Sequence, residues 1–197
     1  MVGESLKTRR PDCRLMSEEV VGVSDAIASR KSVRNFEDAP VEKEKLMKCL
    51  EAARLAPSWA NRQCWHFILV TGKREVEELG LIPAHIKNTP ALVVACGDPE
   101  KSGNIDGKPY YMVDVAIAAE HLVLEAVEQG LGTVWVGAFK EDRVQKALGI
   151  PQNIKVVALI PIGYPAGKEG VRAKLLKAAV GSANRKDLKE IVHFQKW

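Results

Sequence analysis

The sequence YYMVDVAIAAEHLVLEAVE, residues Tyr110–Glu128, is the longest helix candidate in a chain of 197 residues. At helical spacing it is apolar over most of its circumference, which a surface helix does not need. One narrow polar stripe contains Asp114, His121, Glu125 and Glu128. We therefore predict a helix buried on most sides, either at the centre of the monomer or at a subunit interface, and the small size of the domain favours the interface. Gly130 is placed to end it with a left-handed cap.

Shorter elements are predicted on both sides of this helix. Four apolar segments have strand character: residues 67–70, 91–96, 133–136 and 156–164. Three segments have apolar side chains at helical spacing: residues 41–55, 75–81 and 141–148. An earlier helix begins near Ser17 or near Ser24 and ends before Arg30. Helices alternate with strands, so the class is α/β or α+β.

Composition is typical of one compact domain, with 46% hydrophobic and 27% charged residues. We assign residues 1–20 to an N-terminal extension and residues 21–197 to a single domain. The net charge is +4, but lysine and arginine are dispersed among acidic residues. This dispersion favours small anionic ligands over nucleic acid as partners.

The four cysteines, Cys13, Cys49, Cys64 and Cys96, are far apart and form no CxxC pair, and the histidines are not clustered. Neither a zinc site nor a disulfide scaffold is indicated, and free thiols in a reducing cytoplasm are expected. No apolar run approaches the roughly 20 residues that a membrane helix needs, and the basic N-terminus lacks the apolar core of a signal peptide. We expect a cytoplasmic protein without a membrane partner.

The first segment with chemical potential is RKSVR, residues 30–34, which places three cations and a hydroxyl just after a predicted helix. Arginine offers two parallel donors to phosphate and serine adds a short one, so the segment could bind a phosphomonoester. A helix end whose cations complement the negative end of the helix dipole explains the pattern equally well.

The second segment, PSWANRQCWH, residues 57–66, is a loop that concentrates amide and hydroxyl groups beside aromatic rings. Such groups suit the alternating donors and acceptors of a pyrimidine-like ring edge, which tryptophan can cover. Alternatively, Ser58 and Asn61 satisfy the backbone of the turn after Pro57, and Trp65 belongs to the core.

Two further segments are weaker signals. In TVWVGAF, residues 133–139, Gly137 would let a ligand approach the backbone closely, although a turn that requires positive φ explains it equally well. The charges at Asn184, Arg185 and Lys186 are by themselves typical of a solvated surface. The chain lacks the glycine patterns of dinucleotide-binding and Walker loops and the GxSxG pattern of serine hydrolases, which disfavours those classes.

Taken together, the segments resemble the nitroreductase family of FMN enzymes. The motifs that carry the resemblance are RKSVRNF (30–36), PSWANRQCWHF (57–67), GLGTVWVGAF (130–139), LGIP (148–151), IPIGYP (160–165) and NRKDLKEIVHFQKW (184–197). Their order and spacing are specific, and they extend from about residue 25 to the C-terminus. The family often has proline where Cys64 stands here.

The resemblance implies an α+β fold: a three-layer sandwich with a mainly antiparallel central sheet flanked by helices. It also implies an intertwined homodimer, in which long central helices meet and FMN lies at the subunit interface. C-terminal segments such as residues 191–197 reach across to the partner in such dimers.

The resemblance also implies which residues bind FMN. Arg30, Lys31 and Ser32, with Arg185 and Lys186, would bind the phosphate and the ribityl chain. Arg34 would stabilise negative charge at N1 and O2 of the pyrimidine ring.

The remaining contacts with the ring would come from two segments. Pro57, Ser58, Asn61 and Gln63 would read the edge of the isoalloxazine, with Ser58 able to serve the partner's flavin. Val136 and Gly137 would lie beside flavin N5 and the dimethylbenzene side. No catalytic side chain is required, because flavin N5 carries the hydride.

The function so implied is ping-pong transfer of hydride from NADH or NADPH to a small planar acceptor such as a nitroaromatic or a quinone. One alternative is a protein that stores or senses FMN without turnover. Another is specialised chemistry on the same scaffold, either dehalogenation or flavin fragmentation. The short stretch of residues 97–110 counts against the lid that such chemistry uses.

Overall fold

The computed structural model describes residues 22–167 and 185–197. Its helices are α1 Val23–Ser29, α2 Lys43–Arg54, α3 Lys73–Leu79, α4 Tyr110–Glu128, α5 Glu141–Leu148 and α6 Leu188–Ile191. Its strands are β1 Trp65–Thr71, β2 Ala91–Gly97, β3 Asn104–Ile105, β4 Lys108–Pro109, β5 Gly132–Thr133 and β6 Lys155–Gly163. The expected extension at residues 1–20, the alternative helix start at Ser17, and Asn184 lie outside the described residues.

The main sheet has the strand order β1-β2-β6-β5, and every neighbouring pair is antiparallel. The central strand β2 has the sequence ALVVACG and is buried along its whole length. Such a continuous apolar run is typical of a strand that is covered on both faces. Because every neighbouring pair of strands is antiparallel, the predicted mainly antiparallel sheet is confirmed.

Side chains alternate along β2 and divide the core into two halves. Ala91, Val93 and Ala95 pack with α2 and α4 on one face of the sheet. Leu92 and Val94 pack on the other face, with Val76 of α3 and Val144 of α5 among their neighbours. This is the three-layer sandwich that the resemblance implies.

The predicted burial of α4 is confirmed, since a face that includes Val115, Ala118 and Leu122 has no solvent exposure. Asp114, the first residue of the polar stripe, does not face solvent, because it is only 2% exposed. On the opposite side of the helix, Val113 is 50% exposed. Gly130 has a φ of 73°, as the predicted left-handed cap requires.

The strand predicted at residues 133–136 is shorter than expected, and Pro161 supplies the reason. In β6, Pro161 lies next to Ile162, the partner of Thr133, and it has no N–H to donate. Val134 N–H still reaches the Pro161 carbonyl at 3.3 Å, and pairing resumes only as an isolated bridge between Val136 and Leu159. The edge of the sheet is thus interrupted just before Gly137.

Other boundaries move by a few residues. The first helix begins at Val23, which confirms the alternative start predicted near Ser24. Helix α3 ends at Leu79 because Gly80 has a φ of 61°. The hairpin of β3 and β4 and the short helix α6 were not predicted, because each is too short to show periodicity. Within the described ranges, no helix is both long and apolar enough to cross a membrane.

Candidate functional site

The RKSVR segment lies along the free edge of β5. Ser32 forms a parallel bridge with Thr133, and Val33 N–H donates a hydrogen bond of 2.8 Å to the Thr133 carbonyl. Gly132 permits this approach, because a Cβ added there would lie 2.4 Å from Val33 Cγ2. The structure therefore brings together two segments that sequence analysis singled out separately, residues 30–34 and residues 133–139.

One buried polar atom of the RKSVR segment belongs to the side chain of Arg34. Its Nη1 atom is buried and has no hydrogen-bond partner among the residues that the structure describes. An unsatisfied buried donor typically costs about 1–3 kcal/mol, and more when it is charged. Its main chain is firmly placed, since the Arg34 carbonyl accepts a hydrogen bond of 3.0 Å from Lys87 N–H. An acceptor from a bound molecule or from another subunit would satisfy Nη1.

The cations that precede Arg34 allow both interpretations made from the sequence. Arg30 caps the C-terminus of α1, where its N–H donates to the Ala26 carbonyl. A cation there complements the helix dipole. Lys31 is exposed and Arg30 is half-buried, so both side chains remain available to an anion.

Some polar groups in the loop of residues 57–63 form hydrogen bonds with one another. Ser58 Oγ accepts a hydrogen bond of 2.9 Å from Gln63 N–H, as the alternative interpretation expected. Gln63 Nε2 donates to Asn61 Oδ1 at 3.2 Å. Pro57, Asn61 and Gln63 are exposed, whereas Trp65 packs partly buried against the core formed with α2 and α4. The amides therefore form one exposed polar edge.

This loop has an unusual backbone. Ala60, Asn61 and Gln63 have φ values of 48°, 54° and 50°. Left-handed conformations cost non-glycine residues about 1–2 kcal/mol each, with asparagine tolerated best. Such residues persist where the surroundings hold them, which is common at functional sites.

Asp114 provides such a hold, and sequence analysis missed its role. Its Oδ1 accepts a hydrogen bond of 2.7 Å from Trp59 N–H. Its Oδ2 accepts one of 2.8 Å from Ser102 Oγ and one of 3.5 Å from Cys64 Sγ. A carboxylate on an otherwise apolar stretch of helix was the available signal, because buried charges need partners.

Cys64 is fully buried, so it acts as a packing residue and as a donor to Asp114. Burial, together with the hydrogen bond to Asp114, raises the pKa of the Cys64 thiol to about 11. A thiol with so high a pKa is a poor nucleophile at neutral pH. A covalent role for Cys64 is therefore disfavoured.

The Trp59 ring packs against the turn that follows β2. A Cβ added to Gly103 would lie 2.5 Å from Trp59 Cε2. The ring is tilted at 40° to that of Tyr110, with 6.5 Å between centroids, and the Arg62 guanidinium lies 5.7 Å from the Trp59 ring. The loop is therefore held both by hydrogen bonds and by ring packing.

Gly137 does not have the positive φ that a turn would have explained. A Cβ added to it would meet no heavy atom within 4 Å. The turn interpretation is wrong, and the space beside Gly137 is open. Its neighbour Val136 is buried and hydrogen-bonded to Leu159.

Arg185 and Lys186 are exposed at the start of the segment 185–197. Residues 168–184, which are not described, separate them from the rest of the site. In the described ranges, no group of three or more His, Cys, Asp or Glu residues lies close enough to bind a metal ion.

Comparison with known proteins places this geometry in a family. The profile described as "Nitroreductase family" matches residues 27–85 and 77–164. The chain belongs to the nitroreductase family. The matched ranges contain the RKSVR segment, the loop of residues 57–63, Asp114 and Gly137, so most of the candidate site lies within the family domain.

Three relatives illustrate the similarity. A curated protein from Methanothermobacter thermautotrophicus, named "Putative NADH dehydrogenase/NAD(P)H nitroreductase", is 34% identical over 157 residues, which cover 76% of this chain and 81% of the relative. The crystal structure of a nitroreductase family protein from Clostridium novyi NT has 38% identity and a TM-score of 0.69, with 74% of this chain and 86% of that chain covered. An FMN-dependent nitroreductase from Clostridium difficile R20291 has 28% identity and a TM-score of 0.68, with 87% and 98% covered. These structures confirm the nitroreductase fold.

Proposed function

We propose that this chain is an FMN-dependent oxidoreductase that uses NADH or NADPH to reduce a small planar acceptor such as a nitroaromatic or a quinone. The observation that carries the proposal is the buried Nη1 of Arg34, which has no hydrogen-bond partner in the described part of the chain. Arg34 lies within the range matched by the family profile. Relatives named for NAD(P)H and for FMN support the choice of donor and cofactor.

The residues present fit FMN. Arg30, Lys31 and Ser32 offer donors to the phosphate and ribityl chain, and Arg185 and Lys186 would join them from the C-terminal segment. Pro57, Ser58, Asn61, Gln63, Val136 and Gly137 would surround the ring. The exposed amides of the loop and the open space beside Gly137 suit a flat polar edge and a close backbone approach.

Bound FMN would accept a hydride at N5 from the nicotinamide and deliver it to the acceptor. The guanidinium of Arg34 would stabilise the negative charge that arises at the pyrimidine edge. No acid or base side chain is needed, so the chain's task is to hold the ring and admit flat molecules. Donor and acceptor would occupy one slot in turn, which is a ping-pong mechanism.

A homodimer with FMN at its interface is part of the proposal. Val113 on α4 is 50% exposed, and Trp135, whose indole N–H donates to Glu120 of the same helix, is 37% exposed. In the C-terminal segment, Phe194 is 89% and Trp197 102% exposed. Apolar surface of this kind is typical of an interface. The segment would cross to the partner and bury these rings, and size-exclusion chromatography with light scattering tests the dimer directly.

The structure favours a general reductase over a specialised enzyme. Between Gly97 and Tyr110 the chain forms one turn and a hairpin whose strands have two residues each. A segment this short does not provide a large lid over a bound substrate. We also propose that the protein acts in the cytoplasm, which agrees with the free, buried thiols of Cys49, Cys64 and Cys96.

The first test is an absorbance spectrum of the purified protein, followed without air by NADH and then NADPH. Flavin bands should bleach with one nicotinamide and return on addition of a quinone or nitroaromatic. Bands that persist would favour storage or sensing of FMN, and no bands after added FMN would refute the proposal. Initial rates at several acceptor concentrations should give parallel double-reciprocal lines, whereas intersecting lines would contradict ping-pong exchange.

A further inference from the structure

Asp114 joins three parts of the chain that are distant in sequence. It accepts hydrogen bonds from Trp59 in the loop, from Cys64 just before β1, and from Ser102 in the turn after β2. We propose that Asp114 is a positioning residue, which holds the loop of residues 57–63 in the conformation that receives the flavin ring. This inference rests on the proposed function, since it takes the loop as part of the FMN site.

The position of Asp114 argues against a role in packing alone. It lies on the buried face of α4 among apolar neighbours such as Val115 and Ala118, and it is 2% exposed. A buried carboxylate is costly unless it is hydrogen-bonded, and an apolar side chain would suit the core better. Its oxygens instead receive three donors from outside the helix, and none of these donors belongs to another helix of the sandwich.

The loop depends on this anchor. In residues 22–167 and 185–197, the hydrogen bond from Trp59 N–H to Asp114 is the one that joins residues 58–63 to another element. The remaining hydrogen bonds of Ser58, Asn61 and Gln63 stay within the loop. These internal hydrogen bonds do not tie the loop to the rest of the fold, so the loop is held against the sheet by Asp114 and by the packing of Trp59 on Gly103.

Rigid placement matters for binding, because a loop that is already ordered loses less conformational freedom when a ligand binds. Without the hydrogen bond to Asp114, the loop takes several positions, and the amides of Asn61 and Gln63 are no longer held in the single arrangement that binds the edge of the flavin ring. Affinity for FMN should fall. The relative affinity for oxidised and reduced FMN should also change, because these amides contact the edge whose charge differs between the two forms.

The test compares Asp114→Ala with Asp114→Asn. Asparagine keeps an oxygen for Trp59 N–H, and its amide can donate to Ser102 Oγ, whereas alanine removes every contact. We expect Asp114→Ala to weaken FMN binding about tenfold and to shift the midpoint potential, since loss of a charge-assisted hydrogen bond commonly has this magnitude. Asp114→Asn should stay within about threefold of the wild type.

Hydrogen exchange in the cofactor-free protein provides a readout that does not need FMN. Amides of residues 59–63 should exchange faster in Asp114→Ala than in the wild type or Asp114→Asn, while β2 stays protected. Loss of stability alone would speed exchange in β2 as well, and it would not shift the midpoint potential of the protein that remains folded. Unchanged loop exchange together with unchanged FMN affinity would overturn the inference.

Ser102→Ala keeps the test decisive if Asp114→Ala does not fold. It removes one donor to Oδ2 and leaves the carboxylate in place, so loop exchange should rise and FMN affinity should fall about threefold. Wild-type values for both would refute the inference. If the wild type takes up no FMN, the proposed function fails, and loop exchange in the variants alone then decides whether Asp114 holds the loop.

Discussion

The side chain of Val33 lies directly against the backbone of Gly132. A Cβ on Gly132 would be 2.4 Å from Val33 Cγ2, which is closer than packed carbon atoms approach. The Val33 N–H also donates to the adjacent Thr133 carbonyl at 2.8 Å. This contact seats the RKSVR segment on the edge of the sheet, so it determines where Arg30, Ser32 and Arg34 lie.

Gly132→Ala should displace the RKSVR segment. The added methyl overlaps Val33, and overpacking of this kind typically costs about 1–3 kcal/mol. We expect a lower free energy of unfolding in urea and weak retention of FMN during purification. A variant with wild-type stability and full FMN content would contradict this account of the contact.

Gly137→Ala is the matched control for Gly132→Ala, and we expect it to leave stability unchanged. Because nothing lies within 4 Å of an added Cβ and φ is not positive, the free energy of unfolding should change by less than about 0.5 kcal/mol. FMN binding should weaken, because the methyl occupies space proposed for the ring. Unchanged FMN affinity, measured by fluorescence titration, would place the ring elsewhere.

Arg34→Met should separate stability from cofactor binding. The side chain carries a buried donor without a partner, so its removal should leave the cofactor-free protein as stable as the wild type or slightly more stable. FMN affinity should fall at least about tenfold through loss of a charge-assisted contact. Arg74→Met is the control, because Arg74 is exposed on α3 and pairs with Glu78 of the same helix. Equal FMN affinity in the two variants would refute the role of Arg34.

Stability at high pH should depend on the buried thiols. Burial raises the pKa of Cys64 to about 11, above its ordinary value of 9.0, so the folded state favours the neutral thiol. That contribution is complete below pH 9 and is lost as the pH rises towards 11. The free energy of unfolding should therefore fall across this window.

Cys64→Ala isolates the contribution of Cys64 to that fall. Cys49 and Cys96 also have raised pKa values, about 12 and about 11, because both are buried. The difference in unfolding free energy between the wild type and Cys64→Ala should shrink from pH 9 to pH 11. A difference that stays constant over this range would show that Cys64 does not titrate as described.

Most elements could be predicted because their signals are local. Helix α5 has the predicted bounds, because Gly149 marks its end in the sequence. Strand β2 could be recognised by its continuous apolar run, and it is one residue longer than predicted. The end of β5 could not be predicted from its own residues. It depends on Pro161, which is close to Val134 only after β6 has folded beside it.

The candidate site shows the same division. The donors at Arg30, Ser32 and Arg34 could be recognised because hydroxyl and guanidinium groups are clustered in the chain itself. The role of Asp114 could not, because its partners are 55, 50 and 12 residues away in sequence. On a helical wheel it looks like part of a solvated stripe.

The amino-acid sequence alone determined the longer helices and strands, the family and the segments that carry polar donors, because periodicity, turn residues and motif order are properties of neighbouring residues. The tertiary structure decided which of those donors meet. The contact of Val33 with Gly132, the unpaired Nη1 of Arg34 and the three hydrogen bonds to Asp114 arise from long-range packing. Whether a polar atom is satisfied depends on all the elements that surround it, and only the folded chain brings these elements together.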